Sequence, residues 1–581
     1  MKKILTFLIL VVFGGEGFCQ GINIKASAYV KVTGAATINI VNGGLIDNGT
    51  YTKGGETVIF SGTTAKTISG SSITDINNLT VENTGGITVV AGKRLTVSGT
   101  LTNSVVGYGG LVIQSTSDAA NGTASLLNST PGVRATVERW MSGDLWHLIS
   151  PAATATGTEQ NVAVFVNLVN GNLIARNATN YGLAPYDETI DEWYYYKTSG
   201  LNTNVNFTPG KGYQVLRAPN AGTGNGTAGT DGIVSFKGTL GAANVSIGIT
   251  KTTNHFGWNL VGNPYPCAMD IAAFIAANTD AIDGSFQAIY VANIADKKVY
   301  GYQPHTDDPA VTMLASGEGF FVKSALASRT INFNASTMKS HTSGAFKSAA
   351  IQNGFNLIAA SGSEKRRTTV KYIPQMTAGL DPGWDLGLFY NGEDSPLSLY
   401  TRLLEDNGVD FTIQCLPDYD YENLVVPVGL TAKQGATVNF SLANVTVPVG
   451  YKVFLEDKVS RKFIRLDEQG SSYSVQLNAN SNGTGRFFLH TKQEITGMKD
   501  GLSNQFVVIP MPQHNIVRIS GLINLPAQAA VFDMNGRMIA IKNLTGLNEN
   551  EIPLQGVSNG FYLIKIKSDK QTTQTKFSWS L

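Results

Sequence analysis

The sequence predicts an all-β protein built from several domains. At 581 residues the chain has room for several independent cores. Only 15% of the residues are charged, whereas 63 are glycine, which is the profile of short strands with frequent turns. Alternating apolar and polar segments return about every 8 to 12 residues, as in stacked short strands. We expect N-terminal β-solenoid-like repeats, a duplicated β module, a β-sandwich and a small C-terminal β-sandwich of immunoglobulin-like type.

Residues 1–19 have the layout of a secretory signal peptide. Two lysines precede the apolar stretch Ile4–Phe13, and small residues follow before Gln20. The stretch is too short to span a membrane as a mature helix. Cys19 suggests a lipoprotein, but the residues before it do not match those that precede a lipidated cysteine. We therefore expect cleavage before Gln20.

Charge and hydropathy argue against a nucleic-acid partner and against a transmembrane helix. The formal net charge is +1 and no long basic or acidic run occurs, so the electrostatic footprint of a nucleic-acid-binding protein is missing from the sequence. No later apolar run approaches about 18 residues, so we expect no transmembrane helix in the mature chain.

Residues 20–131 form the predicted solenoid-like region. Segments such as "NLTV", "ITVV" and "RLTVSGTL" recur between Gly and Asn residues. Because Val, Leu and Ile repeat without long loops, each turn of the chain would bury its apolar face on the next. A sandwich of short strands is the alternative that the same pattern allows.

Residues 132–340 contain a duplication. "WHLISP" from Trp146 is followed by "GKGYQVL" from Gly210, and "WNLVGNPYP" from Trp258 is followed by "GEGFFVK" from Gly317. In each copy an aromatic-headed strand comes first and a Gly-x-Gly-aromatic strand closes the unit. The glycines suit a bulge or a tight bend. "DIAAFIAAN", after the turn "GNPYP", predicts a short helix.

Two further β regions follow a polar linker. A sandwich of about seven strands is predicted at 354–492. Within it, "LSLYTRLLEDNGVDFTIQCL" predicts a hairpin around Asn407 and Gly408. The last module, 503–581, has its own Asn-Gly hairpin and is long enough for one small core.

No catalytic constellation is visible in the sequence. The six histidines are scattered singly, without zinc-binding spacing, and no G-x-S-x-G elbow occurs. His147 lies beside Trp146 in an alternating strand. A structural, hydrogen-bonded role is favoured there, because a catalytic triad needs a nucleophile partner. We therefore predict no catalytic residue and no enzyme.

Two acidic stretches offer oxygen ligands, one with Asp307 and Asp308 and the other with Asp418, Asp420 and Glu422. Neither matches the twelve-residue calcium loop with its central glycine and closing glutamate. Solvated turns are favoured, because Asp is common in turns. We predict no metal and no other cofactor, with calcium at these turns as the weaker alternative.

The mature chain would keep two cysteines, Cys267 and Cys415, which lie in different predicted domains. Their spacing does not imply a disulfide. Buried free thiols are the simpler interpretation.

The aromatic run "DEWYYYKT" is the best candidate for ligand contact. As a strand it would place Trp193 and Tyr195 on one face and Tyr194 and Tyr196 on the other. One face would enter the core, and the other would offer a platform for sugar rings. Trp193 and Tyr195 are the candidate carbohydrate-binding pair, although packing against a second sheet explains the run equally well.

The terminal module carries the most specific signal. "IPMP" from Ile509, "VRISGL" from Val517, "AAVFDMNGRMI" from Ala529 and "LQGVSNGFYLIKIKSD" from Leu554 follow one another in order. This series resembles the type A C-terminal sorting domain of proteins exported by the type IX secretion system of Bacteroidetes. Ile509 and Met511 depart from the usual Tyr-Pro-Asn-Pro. The motif positions are Pro510, Pro512, Asp533, Gly536, Arg537, Gly560 and Tyr562.

The strand in the last motif is predicted to have little exposed surface. Alternation there puts Phe561, Leu563 and Ile566 in competition with Tyr562 and Ile564 for the inner face. "TTQTKFSWSL" then predicts the last strand, at an edge of the sheet.

The resemblance implies a small sandwich recognised by the type IX translocon and its outer-membrane shuttle components. It implies export through Sec to the periplasm and then to the outer-membrane surface or the extracellular space. In the family a sortase-like peptidase commonly removes the domain, and the mature protein is attached to anionic lipopolysaccharide or released. Surface glycans are further candidate partners.

We expect a non-enzymatic, modular surface or secreted protein with an adhesive or structural role. The alternative is a secreted protein that binds or degrades polysaccharide. Paired carboxylates of glycoside hydrolases come from distant strands and leave no local motif, so the sequence leaves this alternative open.

Overall fold

The computed structural model describes residues 17–19, 21–117, 122–141, 146–154, 162–166, 173–199, 205–217, 232–293, 298–302, 313–341, 353–390, 396–493, 507–520, 527–545, 549–568 and 572–580. The predicted signal peptide lies outside these residues apart from the strand Gly17–Cys19, and Asp307 and Asp308 also lie outside them. The chain divides into two compact units, Met1–Ser348 with Phe389–Gly392, and Ala349–Leu388 with Glu393–Leu581.

Strands dominate both units, which confirms the predicted all-β class. Across the described ranges, no helix is both long and apolar enough to cross a membrane.

The N-terminal region is a parallel β-solenoid, as the repeats predicted. Successive turns of the chain stack in parallel register, with Leu79 between Val58 and Leu101, and all three side chains are at most 2% exposed. One sheet contains Gly17–Cys19, Thr37–Val41, Thr57–Ser61, Asn78–Val81 and Leu101–Asn103. A second contains Ile22–Ile24, Leu45–Asp47, Lys66–Ser69, Ile87–Val89 and Leu111–Ile113, and continues through Arg134–Met141, Gly232–Leu240 and Ala153–Thr154. Smaller sheets pair Tyr29–Lys31 with Thr50–Thr52, and join Ile73–Ile76, Arg94–Val97 and Ser125–Leu127.

Asparagine side chains join consecutive turns of the solenoid. The Oδ1 atom of Asn42 accepts hydrogen bonds from the backbone N–H groups of Thr63 and Thr64 at 2.8 and 3.0 Å. Asn42 itself has φ 47, a left-handed conformation that asparagine tolerates. The polar punctuation between strands is therefore part of the stacking.

The two copies of the duplicated module pair their strands in the same way. Trp146–Ile149 runs antiparallel to Tyr213–Leu216, and Trp258–Gly262 runs antiparallel to Gly319–Lys323. In both copies, the aromatic-headed strand is therefore the partner of the Gly-x-Gly-aromatic strand.

The copies also contact each other reciprocally. The Ser150 N–H of the first copy donates to the Gly317 carbonyl of the second at 2.9 Å, and the Gly262 N–H of the second donates to the Gly210 carbonyl of the first at 2.9 Å. Gly210 and Gly317 have φ 76 and 66, where glycine is favoured. The first glycine of each Gly-x-Gly thus turns its chain toward the other copy.

The predicted helix spans Ile271–Ala276. The Asp270 carboxylate caps it by accepting from the Ala273 N–H at 2.9 Å. Short helical segments also occur at Val162–Val164, Gly284–Phe286 and Ala335–Met338. The other strands of this unit are Leu183–Ala184, Tyr186–Asp187, Glu192–Trp193, Val245–Thr250, Ala268–Asp270, Ile289–Asn293, Lys298–Tyr302, Met313–Leu314, Ser328–Phe333 and Lys339–Ser340.

Residues 353–493 build one hydrogen-bonded sheet of eleven strands around a single core, more than the strand count predicted. Phe355, Val428 and Leu455, from distant strands of the sheet, are each at most 2% exposed in that core. The strands are Asn353–Ser361, Glu364–Tyr372, Leu386–Gly387, Leu397–Thr401, Phe411–Leu416, Val426–Ala432, Thr437–Thr446, Tyr451–Asp457, Lys462–Arg465, Ser472–Gln476 and Phe487–Gln493.

The hairpin predicted around Asn407 and Gly408 is present, but its strands pair only briefly. Leu397–Thr401 and Phe411–Leu416 are antiparallel neighbours in the sheet and meet at one residue pair, Thr401 with Phe411. On its other edge, Leu397–Thr401 pairs along its whole length with Val426–Ala432.

Candidate functional site

The terminal domain, residues 507–580, consists of two antiparallel sheets around one core. The first sheet contains Val507–Met511, Ile516–Ser520 and Glu549–Pro553. The second contains, in spatial order, Met538–Leu544, Ala527–Asp533, Gly560–Ser568 and Thr572–Trp579. Their inner faces meet at Val517, Val531, Ile552, Ile564 and Trp579, each at most 1% exposed.

The two prolines of the first motif shape the turn that opens this domain. Pro510 lies in an edge strand, where a missing N–H group is tolerated. Pro512 begins the 3₁₀ turn Pro512–His514. Asn515, at φ 52, closes the turn by donating its N–H to the Pro512 carbonyl at 3.0 Å. The motif therefore directs the chain into the next strand.

Asp533, Gly536 and Arg537 form the hairpin of the second motif. The Asp533 Oδ1 atom accepts from the N–H groups of Asn535 and Arg537, each at 2.9 Å. Gly536 has φ 81 and donates its N–H to the Asp533 carbonyl at 3.0 Å. Asp533 thus holds the turn through its side chain and its backbone, and the Arg537 residue remains exposed.

Tyr562 is the buried anchor of the last motif. It is 8% exposed, its ring stacks on Phe577 with centroids 5.9 Å apart, and its hydroxyl donates to the Ser558 carbonyl at 2.7 Å. Gly560 lies opposite Trp579, and a Cβ at Gly560 would approach no atom closer than 4.0 Å. Gly560 therefore meets no steric demand from its own domain.

The predicted two-sided burial of the Gly560–Ser568 strand is wrong. Tyr562, Ile564 and Ile566 all face the core, since they are two residues apart, and each is at most 8% exposed. Phe561 points the other way and is 55% exposed. The second sheet therefore has one buried face and one outer face.

Trp193 and Tyr195 do not form a shared platform. Only Glu192–Trp193 is a strand, because the chain leaves the extended pairing after Trp193. Trp193 packs edge-on against Tyr186 and Phe321, whereas Tyr195 packs against Trp146 with centroids 5.9 Å apart. Carbohydrate binding by this pair stays a prediction.

His147 is 5% exposed and lines a cavity of about 30 Å³ together with Arg139 and Glu318. The described lining residues include no Ser, Thr or Cys that could act as a nucleophile beside the imidazole. The volume accommodates little more than a water molecule.

The carboxylates of the second acidic turn are used locally. Asp420 accepts from the Asn423 side-chain amide at 2.7 Å, and Glu422 accepts from the Gln493 N–H at 3.2 Å. Within the part of the chain that the structure describes, no three His, Cys, Asp or Glu residues are grouped to hold a metal ion.

Cys267 and Cys415 are both buried, and neither forms a disulfide in the structure. Burial raises the pKa of the Cys267 thiol to about 12, so this thiol stays protonated and unreactive near neutral pH.

The fold and the terminal domain define a multidomain all-β protein that carries an export signal at its C-terminal end. Residues 507–579 match the secretion system C-terminal sorting domain, which indicates export by the type IX secretion system to the cell surface or the extracellular space. Residues 48–490 match the family described as domain of unknown function DUF8693, and the chain belongs to this family.

The chain is also similar to a curated protein, the minor fimbrium subunit Mfa5 of Porphyromonas gingivalis. The two are 24% identical over 470 residues, which cover 72% of this chain and 35% of that protein. The chain thus matches about one third of the length of this relative.

Two solved structures show weak similarity. One is a polysaccharide lyase, with a TM-score of 0.13 and 12% identity over 39% of each chain. The other is the BSP domain of a biofilm-associated protein, with a TM-score of 0.14 and 8% identity over 58% of this chain and 92% of that one. Neither is close enough to support an argument about fold or function.

Proposed function

We propose that this protein is a non-enzymatic structural or adhesive component of the bacterial surface, associated with fimbriae. The observation that carries the proposal is the similarity to a minor fimbrium subunit over 470 residues, because that match covers 72% of the chain. The terminal sorting domain supports the same location.

The placement of His147, and of the carboxylates considered as calcium ligands, supports a non-enzymatic role. His147 is buried beside a cavity too small for a substrate. Asp420 and Glu422, the candidate calcium ligands, accept hydrogen bonds from Asn423 in their own turn and from Gln493 in a neighbouring strand. The solenoid suits a structural role, because backbone hydrogen bonds and asparagine side chains join each turn of the chain to the next in a continuous stack.

The proposed route runs through Sec to the periplasm and then through the type IX translocon and its outer-membrane shuttle components. Attachment to anionic lipopolysaccharide at the cell surface, or release, completes it. The signal-peptide layout at residues 1–19 and the sorting-domain match at 507–579 support the two ends of this route.

Fractionation of surface filaments tests the proposed function. Filaments are sheared from cells that make the full chain and separated from soluble protein, and attachment to a surface is compared with that of cells lacking the chain. We expect the chain to sediment with filaments and the deletion to lower attachment. Recovery only as free protein in the medium, with attachment unchanged, would overturn the proposal.

A second candidate function, polysaccharide binding, rests on one aromatic pair, the exposed Trp146 and the half-buried Tyr195. Trp146 is 39% exposed and lies 5.9 Å from Tyr195, whose hydroxyl accepts from the Gln214 amide at 3.0 Å. Such a pair with an adjacent amide suits the face of a sugar ring. A glycan array compares the full chain with Trp146→Ala, and binding that disappears in the variant would favour this candidate.

A further inference from the structure

The outer face of the second sheet in the terminal domain carries a row of apolar side chains. Residues directly opposite each other on neighbouring strands share a face. Phe532 lies opposite both Met538 and Leu563, and Ala530 lies opposite Ile541. Met538 and Ile541 are 50% and 52% exposed. We name this row, together with Phe561, the apolar band.

Lysines border the apolar band. Lys565 lies opposite Ala530, Lys567 lies opposite Gln528, and Lys576 lies opposite Leu563; all three lysines are exposed. On the described outer face of these four strands no Asp or Glu occurs, so the charge around the band is of one sign.

One bordering lysine, Lys576, contacts the apolar band directly. The Lys576 ammonium lies 4.0 Å from the centroid of the Phe561 ring, within the range of a cation–π interaction. Phe561 is 55% exposed despite this contact. Neither side chain is needed by the core, which is filled by Tyr562, Ile564 and Phe577.

We infer that the apolar band and its lysines form the surface by which the sorting domain docks on a protein of the export machinery, one that presents an apolar strip flanked by carboxylates. The inference rests on the export function that this domain indicates. Charge complementarity selects an acidic partner, since three lysines without a neighbouring acid would repel a basic one.

The arrangement of the band favours a protein over a lipid surface. Phe532 and Leu563 are half-buried within the row, and lysines lie at its border. An apolar row with a charged rim matches the usual anatomy of a protein interface.

Two sets of substitutions in the full chain test the inference. Lys565→Glu with Lys576→Glu reverses the charge, and Met538→Gln with Ile541→Gln removes exposed apolar surface. Lys25→Glu with Lys433→Glu is the matched control, because both lysines are exposed and lie outside the terminal domain. We expect each band variant to lower the fraction of chain at the cell surface about tenfold, as loss of central interface contacts does. The control should match the unchanged chain.

Folding and partner identity are measured on the same variants. The thermal midpoint of each purified full chain should match that of the unchanged chain, since every substituted side chain is exposed. A photo-crosslinker placed by Phe561→benzoylphenylalanine should join the full chain to a secretion-system protein, and charge reversal should abolish that product. A crosslinker at Tyr419, 64% exposed in another region, should not form it.

Several outcomes would overturn the inference. Surface fractions of both band variants equal to the control would do so, as would crosslinking only to a second copy of the chain. Lysine-dependent binding to vesicles containing lipopolysaccharide, with export unchanged, would assign the face to lipid. A chain without residues 507–581 distinguishes the export function of the terminal domain from the proposed docking surface. If that chain stays inside the cell while the band variants are exported, the docking surface is wrong and the export function still holds.

Discussion

Gly319 lies so close to Ile149 that a Cβ on the glycine would stand 2.8 Å from the Ile149 nitrogen. The corresponding glycine of the other copy, Gly212, meets the partner strand in the same way, since its Cβ would stand 2.6 Å from the Val261 carbonyl oxygen. The second glycine of each Gly-x-Gly is therefore required by contact between the copies.

Alanine at either glycine should destabilise the first unit. Gly319→Ala or Gly212→Ala places a methyl group against backbone atoms that cannot move aside, at a cost of about 1 to 3 kcal/mol. Gly248→Ala is the control, because Gly248 also lies in a strand but has open space at its Cβ. Urea unfolding followed by tryptophan fluorescence measures the difference, and equal midpoints for all three variants would contradict this explanation.

Acid should weaken the contact that His341 makes with the solenoid. Its ring nitrogens bond the Thr96 and Ser125 hydroxyls at 2.7 and 2.9 Å. Burial, and next the charge of Arg94, lower the pKa of His341 to about 4. In the unfolded chain the pKa of this histidine is near 6.5, so the unfolded chain binds the proton more readily than the folded one. The free energy of unfolding is therefore highest above pH 6.5 and decreases as the pH falls through about 4, by at most about 3 kcal/mol in total.

His341→Gln checks this linkage, because glutamine can hydrogen-bond but does not titrate. We expect the stability of the unchanged chain to fall more steeply between pH 7 and pH 4 than that of the variant. Parallel pH profiles would show that His341 contributes nothing to the acid sensitivity.

The buried Asp457 should be a strong stability determinant of the second unit. It is 0% exposed, receives hydrogen bonds from Arg486 at 3.0 and 2.8 Å, and accepts one from the Tyr473 hydroxyl at 2.9 Å. Asp457→Ala leaves the guanidinium without its charge partner, which costs about 3 to 5 kcal/mol. Glu468→Gln, in an exposed pair with Arg465, should cost under about 1 kcal/mol. Thermal unfolding compares the two, and similar shifts would refute the assignment.

Two glycines of the sorting motif should behave differently. Gly536→Val forces a β-branched residue to φ 81 and should cost about 1 to 2 kcal/mol of domain stability. Gly560→Ala should change stability by less than about 0.5 kcal/mol, because its Cβ meets open space. If export nevertheless falls in Gly560→Ala, the glycine serves recognition. Loss of stability in Gly560→Ala would contradict the packing described above.

Local patterns predicted the elements that depend on neighbouring residues. The solenoid strands follow from alternation, and the capped helix at Ile271–Ala276 follows from its Asp270 cap and apolar run. The sorting domain was recognisable because its turns need particular residues, such as Gly536 at φ 81.

Relationships between distant segments were not predictable from these patterns. Besides its hairpin neighbour, Leu397–Thr401 pairs along its whole length with Val426–Ala432, which the local turn signal does not indicate. The Gly-x-Gly contact between copies depends on two strands from different repeats. Simple alternation, applied with the correct period of two, would have placed Ile566 with Tyr562 and revealed Phe561 as an exposed residue.

The location of the chain in intact cells, with and without residues 507–581, tests the central claim most directly. Protease is added outside the cells, and the fraction of chain digested is compared for the two forms. The account predicts that the full chain is digested and the shortened chain is protected. Equal digestion of both forms would show that the terminal domain does not direct export.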